Sequence, residues 1–273
     1  DAIARDGDTV VEAYGLGASN FFADLDAEAI GYEAAERAIT MLGGEPVPTQ
    51  TVPVVFDPMV TAELLGVLAA AMTAEAMQKQ RSFLLDRLGQ DVASDKVSLL
   101  DNGRMKRGFA SAPFDGEGVP TSATRLIDEG VFQRVIYDSY SASKDAVGST
   151  GNAQRGSHRE LPGLRMSNFY LQPGHKTPQE IIAGVESGFY VTRIMQTGGI
   201  DPITGECSMG AYGRWIENGA LTRPVSGVTV ATTLPDLLKN ISEVGDDLRL
   251  VPFGGAISAP TIRVENVMVG GAG

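Results

Sequence analysis

The sequence predicts an α+β fold, a β-rich domain of mixed and antiparallel sheets with a few packed helices. Beyond about residue 90, short apolar runs alternate with Gly, Asn and Asp turns roughly every 8–12 residues, which is typical of a β-rich region. The 33 glycines fit the positive-φ turns and bulges that such sheets need. Two helical patterns precede this region and two interrupt it.

The first predicted elements are a short strand and a helix. Residues 9–11 favour a strand, and a glycine turn follows. This turn, Gly15-Leu16-Gly17, resembles the start of a dinucleotide-binding fingerprint, but the third glycine is missing and a simple connecting turn is favoured. A helix is predicted over residues 26–42, because Asp26 can serve as its N-cap and two glycines follow its end.

A second strand and a second helix come next. Residues 52–56 are apolar and β-branched, which favours a strand. A helix then begins at Asp57-Pro58, where the acid caps and proline occupies the first turn, and continues to about Gln80. Its predicted buried side consists of Leu64, Leu65, Leu68, Ala71 and Met72.

Two hairpins and two further helices are predicted in the β-rich region. The hairpins turn at Asp128-Glu129-Gly130 and at Asn218-Gly219, the latter being the strongest two-residue turn signal. A capping box of Thr177 and Glu180 opens one helix, and a second spans about residues 235–241. Residues 139–167 are polar and rich in Ser, Gly and Arg, which makes them a candidate functional loop.

The composition excludes several classes of function. With 22 basic and 34 acidic residues the formal net charge is −12, so we expect no nucleic-acid partner. One cysteine cannot form an internal disulfide, and no apolar run approaches the ~20 residues of a membrane span. We therefore expect a cytoplasmic protein with no membrane partner. Because the chain starts at Asp1 and not at Met, we also expect it to be part of a longer protein.

No catalytic or metal-binding residue is predicted from the chemistry of the chain. The two histidines, His158 and His175, lie in polar segments far apart, and a His-Glu-x-x-His motif is missing. Cys207 has no neighbouring base, and a buried small residue is the favoured interpretation. A Ser–His–Asp triad stays open, but the sequence has no nucleophile-elbow motif to support it.

Two polar segments have alternative interpretations. Asp115 and Glu117, flanked by glycines, could serve acid–base chemistry or cation binding, but a turn in which the aspartate bonds its own backbone is favoured. Residues 149–156 offer hydroxyl, amide and guanidinium groups that suit a peptide backbone or a carboxylate. An ordinary surface loop explains the second segment equally well.

Read in order, several segments resemble one family, the TldD/PmbA family of metalloprotease subunits, once called modulators of DNA gyrase. The resemblance covers about residue 26 to the end, and the combination of motifs in order is specific. The segments are Val52-Pro53-Val54-Val55-Phe56-Asp57-Pro58, Arg81-Ser82-Phe83-Leu84, Leu88-Gly89, Pro113 to Thr121, Tyr137-Asp138-Ser139-Tyr140-Ser141-Ala142, Ser149-Thr150-Gly151-Asn152, Gly188-Phe189-Tyr190-Val191-Thr192, Asp201-Pro202-Ile203-Thr204-Gly205, Trp215-Ile216-Glu217-Asn218-Gly219, Pro224-Val225 and Gly245-Asp246-Asp247-Leu248.

Within the family the chain resembles the PmbA (TldE) branch. The TldD branch carries His-Glu-x-x-x-His on the helix after the proline–valine strand, and a later cysteine, as zinc ligands. The corresponding residues 61–68 contain no histidine, and Cys207 lies well before the position of the family's cysteine, near Phe253-Gly254-Gly255. The resemblance therefore implies no cofactor in this chain and zinc in a TldD-like partner.

The resemblance also implies a domain organisation and a substrate. Residues 1–50 would be a helical connector from an N-terminal domain, and residues 51–273 the β-rich C-terminal PmbA-like domain. The partner would be a TldD-like zinc protease subunit, or a second copy in a homodimer, and the substrates unfolded peptides. By analogy, the implied substrate-binding residues are Thr150, Gly151, Asn152, Arg155, Arg165 and Asn168.

The leading hypothesis is thus a noncatalytic PmbA/TldE-like subunit of a heterodimeric metalloprotease that processes or degrades unfolded peptides. One alternative is a self-sufficient peptidase with an unrecognised site around Asp115, Glu117 and a histidine. Another is a noncatalytic binding regulator, for example of a topoisomerase.

Overall fold

The computed structural model describes residues 1–195, 197–252 and 255–271 and confirms the α+β class. These residues form sixteen strands and six α-helices. The strands are β1 (Ala2–Asp6), β2 (Thr9–Ala13), β3 (Gln50–Phe56), β4 (Leu99–Asn102), β5 (Ala123–Asp128), β6 (Val131–Phe132), β7 (Ala153–Gln154), β8 (Gly163–Leu164), β9 (Asn168–Leu171), β10 (Ser187–Ile194), β11 (Glu206–Glu217), β12 (Ala220–Thr233), β13 (Ile241–Val244), β14 (Arg249–Val251), β15 (Ala256–Ala259) and β16 (Ile262–Gly270). The helices are α1 (Ala27–Thr40), α2 (Pro58–Ala71), α3 (Ala74–Gln78), α4 (Ser139–Lys144), α5 (Pro178–Ala183) and α6 (Leu234–Lys239).

Five strands form a closed barrel. β12, β11, β10, β3 and β16 are hydrogen-bonded in that order, and the pairing of β12 with β16, through Val230 and Val269, closes the circle. Only the β10–β3 pair in this circle is parallel. β13 continues along the edge of β16 that β12 leaves free. Because a closed sheet has no exposed edge strand, the barrel gives a firm support to the elements packed on it.

A second, open sheet has the strand order β14-β15-β9-β4-β5-β6, in which only β15 and β9 are parallel. Both predicted hairpins are confirmed. In each, the two residues before the second strand have positive φ, at 45° and 87° for Glu129 and Gly130 and at 51° and 76° for Asn218 and Gly219. Tight turns with positive φ match the right-handed twist of the strands they join.

Helix α2 lies between the barrel and the second sheet, in contact with β10 on one side and β15 on the other. Asp57 accepts a hydrogen bond from the Met59 N–H at 2.9 Å and caps the helix as predicted. The helix is apolar on nearly all sides, as a helix enclosed by two layers must be. All five predicted core positions are buried, and Leu64, Leu65, Leu68 and Met72 join one cluster that includes barrel and sheet residues.

An ion-pair network fastens α1 to this framework. Glu33 pairs with Arg37 one turn along α1, at 2.9 Å, and with Arg249 of β14, at 2.5 Å. Arg37 also pairs with the α2 cap, Asp57, at 2.8 Å. Burial opposes ionisation of Glu33, but the two arginines outweigh it and lower the pKa of the carboxyl. The predicted domain boundary between residues 1–50 and residues 51–273 stays a prediction.

Two helical details differ from the sequence expectation. The helix predicted to reach Gln80 is interrupted at Met72–Thr73, because Thr73 has extended backbone and caps a separate helix, α3. The polar stretch at residues 139–167, predicted as a loop, begins with α4, whose capping box is formed by Asp138 and Ser141. In the described part of the chain, no helix is both long and apolar enough to cross a bilayer.

Candidate functional site

A buried carboxylate, Asp101 of β4, organises the predicted functional loop. It is 1% exposed and accepts hydrogen bonds from Asn152 Nδ2 at 2.6 Å, from the Ser167 N–H at 2.6 Å and from Ser167 Oγ at 2.9 Å. Burial raises the pKa of the Asp101 carboxyl, although these three hydrogen bonds oppose the shift. Asn152 precedes β7 and Ser167 follows β8, so Asp101 fixes both ends of the β7–β8 hairpin.

Thr150 and Gly151 form the entry to this hairpin. Thr150 Oγ1 accepts a hydrogen bond from the Tyr137 N–H at 2.8 Å and lies 2.6 Å from Asn152 Oδ1. Gly151 has a φ of 76°, and a Cβ there would lie 2.6 Å from the Pro120 carbonyl oxygen. Residue 151 therefore has to be glycine, because the positive φ disfavours other residues and a Cβ would clash with the backbone of Pro120.

The side chain of Asn168, in β9, also forms hydrogen bonds within the chain. Its Nδ2 donates to the Asn102 carbonyl at 2.7 Å and to Ser111 Oγ at 3.0 Å, and its Oδ1 accepts from the Ala110 N–H at 2.9 Å. Direct contacts of Thr150, Gly151, Asn152 or Asn168 with a peptide stay a prediction. In the structure these residues hold the loop in place.

The two predicted arginines have different environments. Arg155 donates from Nε to the Gly116 carbonyl at 3.0 Å and from Nη1 to the Glu160 carbonyl at 2.7 Å, which closes the segment joining β7 to β8. Arg165 is exposed and lines a cleft of about 220 Å³ beside α2. Only Arg165 of the six predicted binding residues lines this cleft, hereafter the α2 cleft.

The α2 cleft has a helical wall of small residues. Gly66, Ala69 and Ala70 of α2 form it, and Thr73, just beyond the helix, extends it. The hairpin supplies Gln154, Leu164, Arg165 and Met166, and Gly255, Ala256 and Ile257 at the start of β15 complete the lining. A concave surface of alkyl groups with a few polar groups is typical of a ligand-binding site.

The paired acids form a turn, the interpretation favoured from the sequence. Asp115 accepts hydrogen bonds from the N–H groups of Glu117 and Val119, each at 2.9 Å, and of Ala153 at 3.0 Å. Glu117 accepts one from the Ser139 N–H at 2.8 Å. Both carboxylates therefore bind backbone donors and link this turn to β7 and α4.

The histidines and the cysteine lie on three different elements. His158 is in the segment joining β7 to β8, His175 precedes α5, and Cys207 is in the barrel strand β11. Burial raises the pKa of the Cys207 thiol to about 11. Among the described residues, no three His, Cys, Asp or Glu side chains are grouped closely enough to hold a metal ion.

Helix α2 does not fit the zinc site of the TldD branch. Its one carboxylate, Glu63, lines a small cavity with Tyr14 and Arg193, separate from the α2 cleft. Burial raises the pKa of the Glu63 carboxyl, an effect that Arg193 opposes. Phe253 and Gly254, where the family's ligand cysteine is expected, lie outside the described residues.

Sequence reasoning missed the α2 cleft, although part of its signal was visible. Gly66, Ala69 and Ala70 are all small and share one face of the predicted helix, which leaves space beside it. The contribution of β15 could not be seen, because its pairing with β9 is a long-range contact.

Comparison with known proteins supports the resemblance found in the sequence. The family model of the PmbA/TldA metallopeptidase C-terminal domain matches residues 49–271. Metalloprotease PmbA of Escherichia coli O157:H7 is 33% identical over 221 residues, which cover 81% of this chain and 47% of that protein. The chain thus spans about half the length of the curated relatives it matches.

Two solved structures share the fold. TldE from Thermococcus kodakarensis matches with a TM-score of 0.92 and 25% identity, over 98% of this chain and 61% of that one. A Thermotoga maritima structure named as a modulator of a DNA gyrase matches with a TM-score of 0.90 and 32% identity, over 98% and 60%. On the family model, the sequence relatives and the shared fold, the chain belongs to the PmbA/TldD metallopeptidase family.

Proposed function

We propose that this chain is part of a noncatalytic PmbA/TldE-like subunit, which pairs with a TldD-like zinc subunit in the cytoplasm to process or degrade unfolded peptides. The subunit would contribute binding surface, and the partner would contribute the zinc ion. Because the chain spans about half of its curated relatives, the activity of the whole protein is part of this proposal.

One observation carries the proposal: the chemistry of the α2 cleft. Its wall beside α2 consists of Gly66, Ala69, Ala70 and Thr73, none of which offers a carboxylate, imidazole or thiolate. Alkyl groups, an amide and a guanidinium bind and orient a peptide, but they do not activate water or polarise a carbonyl as a metal centre does. A cleft of this composition therefore favours a binding role.

The names of two relatives are consistent with this role. The Escherichia coli relative is named a metalloprotease, and the Thermococcus kodakarensis structure is named TldE. Pairing with a zinc-bearing subunit would reconcile a metalloprotease family with an α2 helix whose only carboxylate lies outside the cleft.

The test is a peptidase assay on unfolded protein with three samples: this chain, a TldD-like subunit carrying His-Glu-x-x-x-His, and their mixture with zinc. We expect rapid cleavage only in the mixture, and loss of that cleavage with a zinc chelator. Equal cleavage by this chain alone would refute the proposal.

A variant separates the partner role from a hidden catalytic role of α2. Glu63→Gln removes the one carboxylate of α2 while keeping the shape of the side chain. We expect the mixture to retain its activity with this variant. A large loss of the turnover number at unchanged complex formation would assign the chemistry to this chain.

A further inference from the structure

The α2 cleft carries a positive charge at Arg165. None of the described residues lining the cleft is acidic, and Arg165 is the one charged residue among them. Within the described ranges, the Arg165 guanidinium has no ion pair and no hydrogen bond. In a chain of net charge −12, a cation left without an acidic neighbour in a concave site marks a place for an anionic ligand.

The backbone that carries this cation is fixed on both sides. The Arg165 N–H donates to the Asn152 carbonyl at 3.0 Å, and its own carbonyl accepts from Asn152 Nδ2 at 3.2 Å. The next carbonyl, of Met166, accepts from Gln154 Nε2 at 3.0 Å, and Ser167 is bound to the buried Asp101. The backbone around Arg165 is therefore held in place, so binding through the Arg165 side chain would cost little backbone entropy.

The size and walls of the cleft limit what it can accept. Its volume of about 220 Å³ is below the ~300–1,000 Å³ of sites for drug-sized ligands, so it suits a single side chain. Gly66 and Ala70, on the wall beside α2, add little or no side-chain bulk to it. A guanidinium binds a carboxylate through two parallel hydrogen bonds.

We propose that the α2 cleft binds the acidic side chain of an extended peptide, with Arg165 as the residue that anchors its carboxylate. Charge complementarity selects this occupant over a neutral or basic side chain. The inference rests on the proposed peptide-binding function, but it concerns selectivity and needs no partner subunit, so its test is separate from the peptidase assay.

The test measures binding of fluorescent peptides to the 273-residue chain by anisotropy. The peptides are C-terminally amidated, are built from Ala, Gly and Ser, and carry one central Glu or one central Gln. We expect the Glu peptide to bind roughly tenfold more tightly, as for one charge-assisted contact, and to weaken as salt is raised. Arg165→Gln should abolish the difference between the two peptides.

Two controls make the result specific. Arg134→Gln removes an exposed arginine that does not line the cleft and should leave the tenfold preference unchanged. A third peptide has the central Gln and a free C-terminal carboxylate. If it binds as tightly as the Glu peptide, the cleft recognises chain ends and the proposal is wrong. Equal binding of the two amidated peptides, or no binding of either, would also overturn it, while leaving the peptidase assay to judge the proposed function.

Discussion

Asp101 and Arg165 have different roles at the β7–β8 hairpin, because one side chain is buried and the other is exposed. Asp101 is 1% exposed, and both of its oxygens accept hydrogen bonds from the residues that bracket β7 and β8. Arg165, between these bracketing residues, is left with an exposed guanidinium at the α2 cleft. The buried acid thus supports the geometry of a cleft to which it contributes no surface.

Removing the Asp101 carboxylate should destabilise the fold. In Asp101→Ala, the buried Asn152 amide loses one of its two acceptors, and the Ser167 N–H and hydroxyl lose theirs. We expect this to lower the free energy of unfolding by about 2–4 kcal/mol. Urea denaturation measures the change. Asp128→Ala, which breaks an exposed pair with Arg125, is the control and should cost less than about 1 kcal/mol. Similar losses in the two variants would show that Asp101 has no special structural role.

The sequence indicated that residues 139–167 are polar, but not which of their polar groups form hydrogen bonds within the chain. Asn152 and Asp101 are 51 residues apart, and their contact depends on the arrangement of β4 beside β9. A local sequence pattern carries no information about a contact between residues this far apart in the chain. The position of Arg165 at the α2 cleft depends on the packing of α2 beside β15, which the sequence does not reveal.

At the scale of elements, ion pairs join α1 to β14 and to the start of α2. Glu33 of α1 lies between Arg37 and Arg249, and Arg37 continues the network to Asp57 at the start of α2. These side chains are about a quarter exposed or less, so their interactions are screened less than those of surface pairs. The network contributes to the position of α1 against β14.

The lowered pKa of Glu33 gives this network a defined pH dependence. A carboxyl whose pKa is lower in the folded state than its usual 4.5 stabilises the fold above that pH and loses the contribution as pH falls through the folded value. We expect Glu33→Gln to be less stable than the natural chain by about 1–3 kcal/mol at pH 7. The difference should shrink progressively below pH 4.5. Urea unfolding from neutral to acidic pH measures it.

The control for this pH series is Glu28→Gln, in the exposed first turn of the same helix. It removes only a favourable interaction with the helix dipole and should cost about 0.3–1 kcal/mol. A pH-independent difference between Glu33→Gln and the natural chain would contradict the assigned network.

The elements themselves were predicted well where a local signal dominates. The Asp57-Pro58 start of α2, the Thr177–Glu180 capping box and the Asn218-Gly219 hairpin are all observed. The break before α3 was missed because an apolar helical pattern continues through Met72, whereas a bridge between Thr73 and Ile136 holds the chain extended there. α4 has six residues, too few for periodicity to reveal it.

At the scale of the molecule, a closed barrel and an open sheet share α2 and one hydrophobic core. The β7–β8 hairpin is attached to this framework by the Asp101 cluster, and the segment joining its strands, residues 155–162, is mostly exposed. Local stability should therefore differ sharply between the two regions, because opening the barrel requires breaking two ladders per strand.

Hydrogen–deuterium exchange with mass spectrometry tests this difference. We expect the amides of β3, β10 and β11 to exchange only with global unfolding, and those of residues 155–162 to exchange through local opening, orders of magnitude faster. Addition of the Glu peptide should slow exchange around β8 without changing the barrel. Uniform exchange rates across barrel and hairpin would contradict this distribution of stability.

The position of β3 between the barrel strands β10 and β16 also affects how the chain can fold during its synthesis. β3 ends at Phe56, yet its two neighbours begin at Ser187 and Ile262, so the ribosome must add roughly 200 more residues before both sides of β3 can pair. At about 5–20 residues per second, this takes roughly 10–40 s. Until both neighbours have been made, the apolar run Val52 to Phe56 keeps at least one unpaired strand edge, and such an edge can pair with another chain.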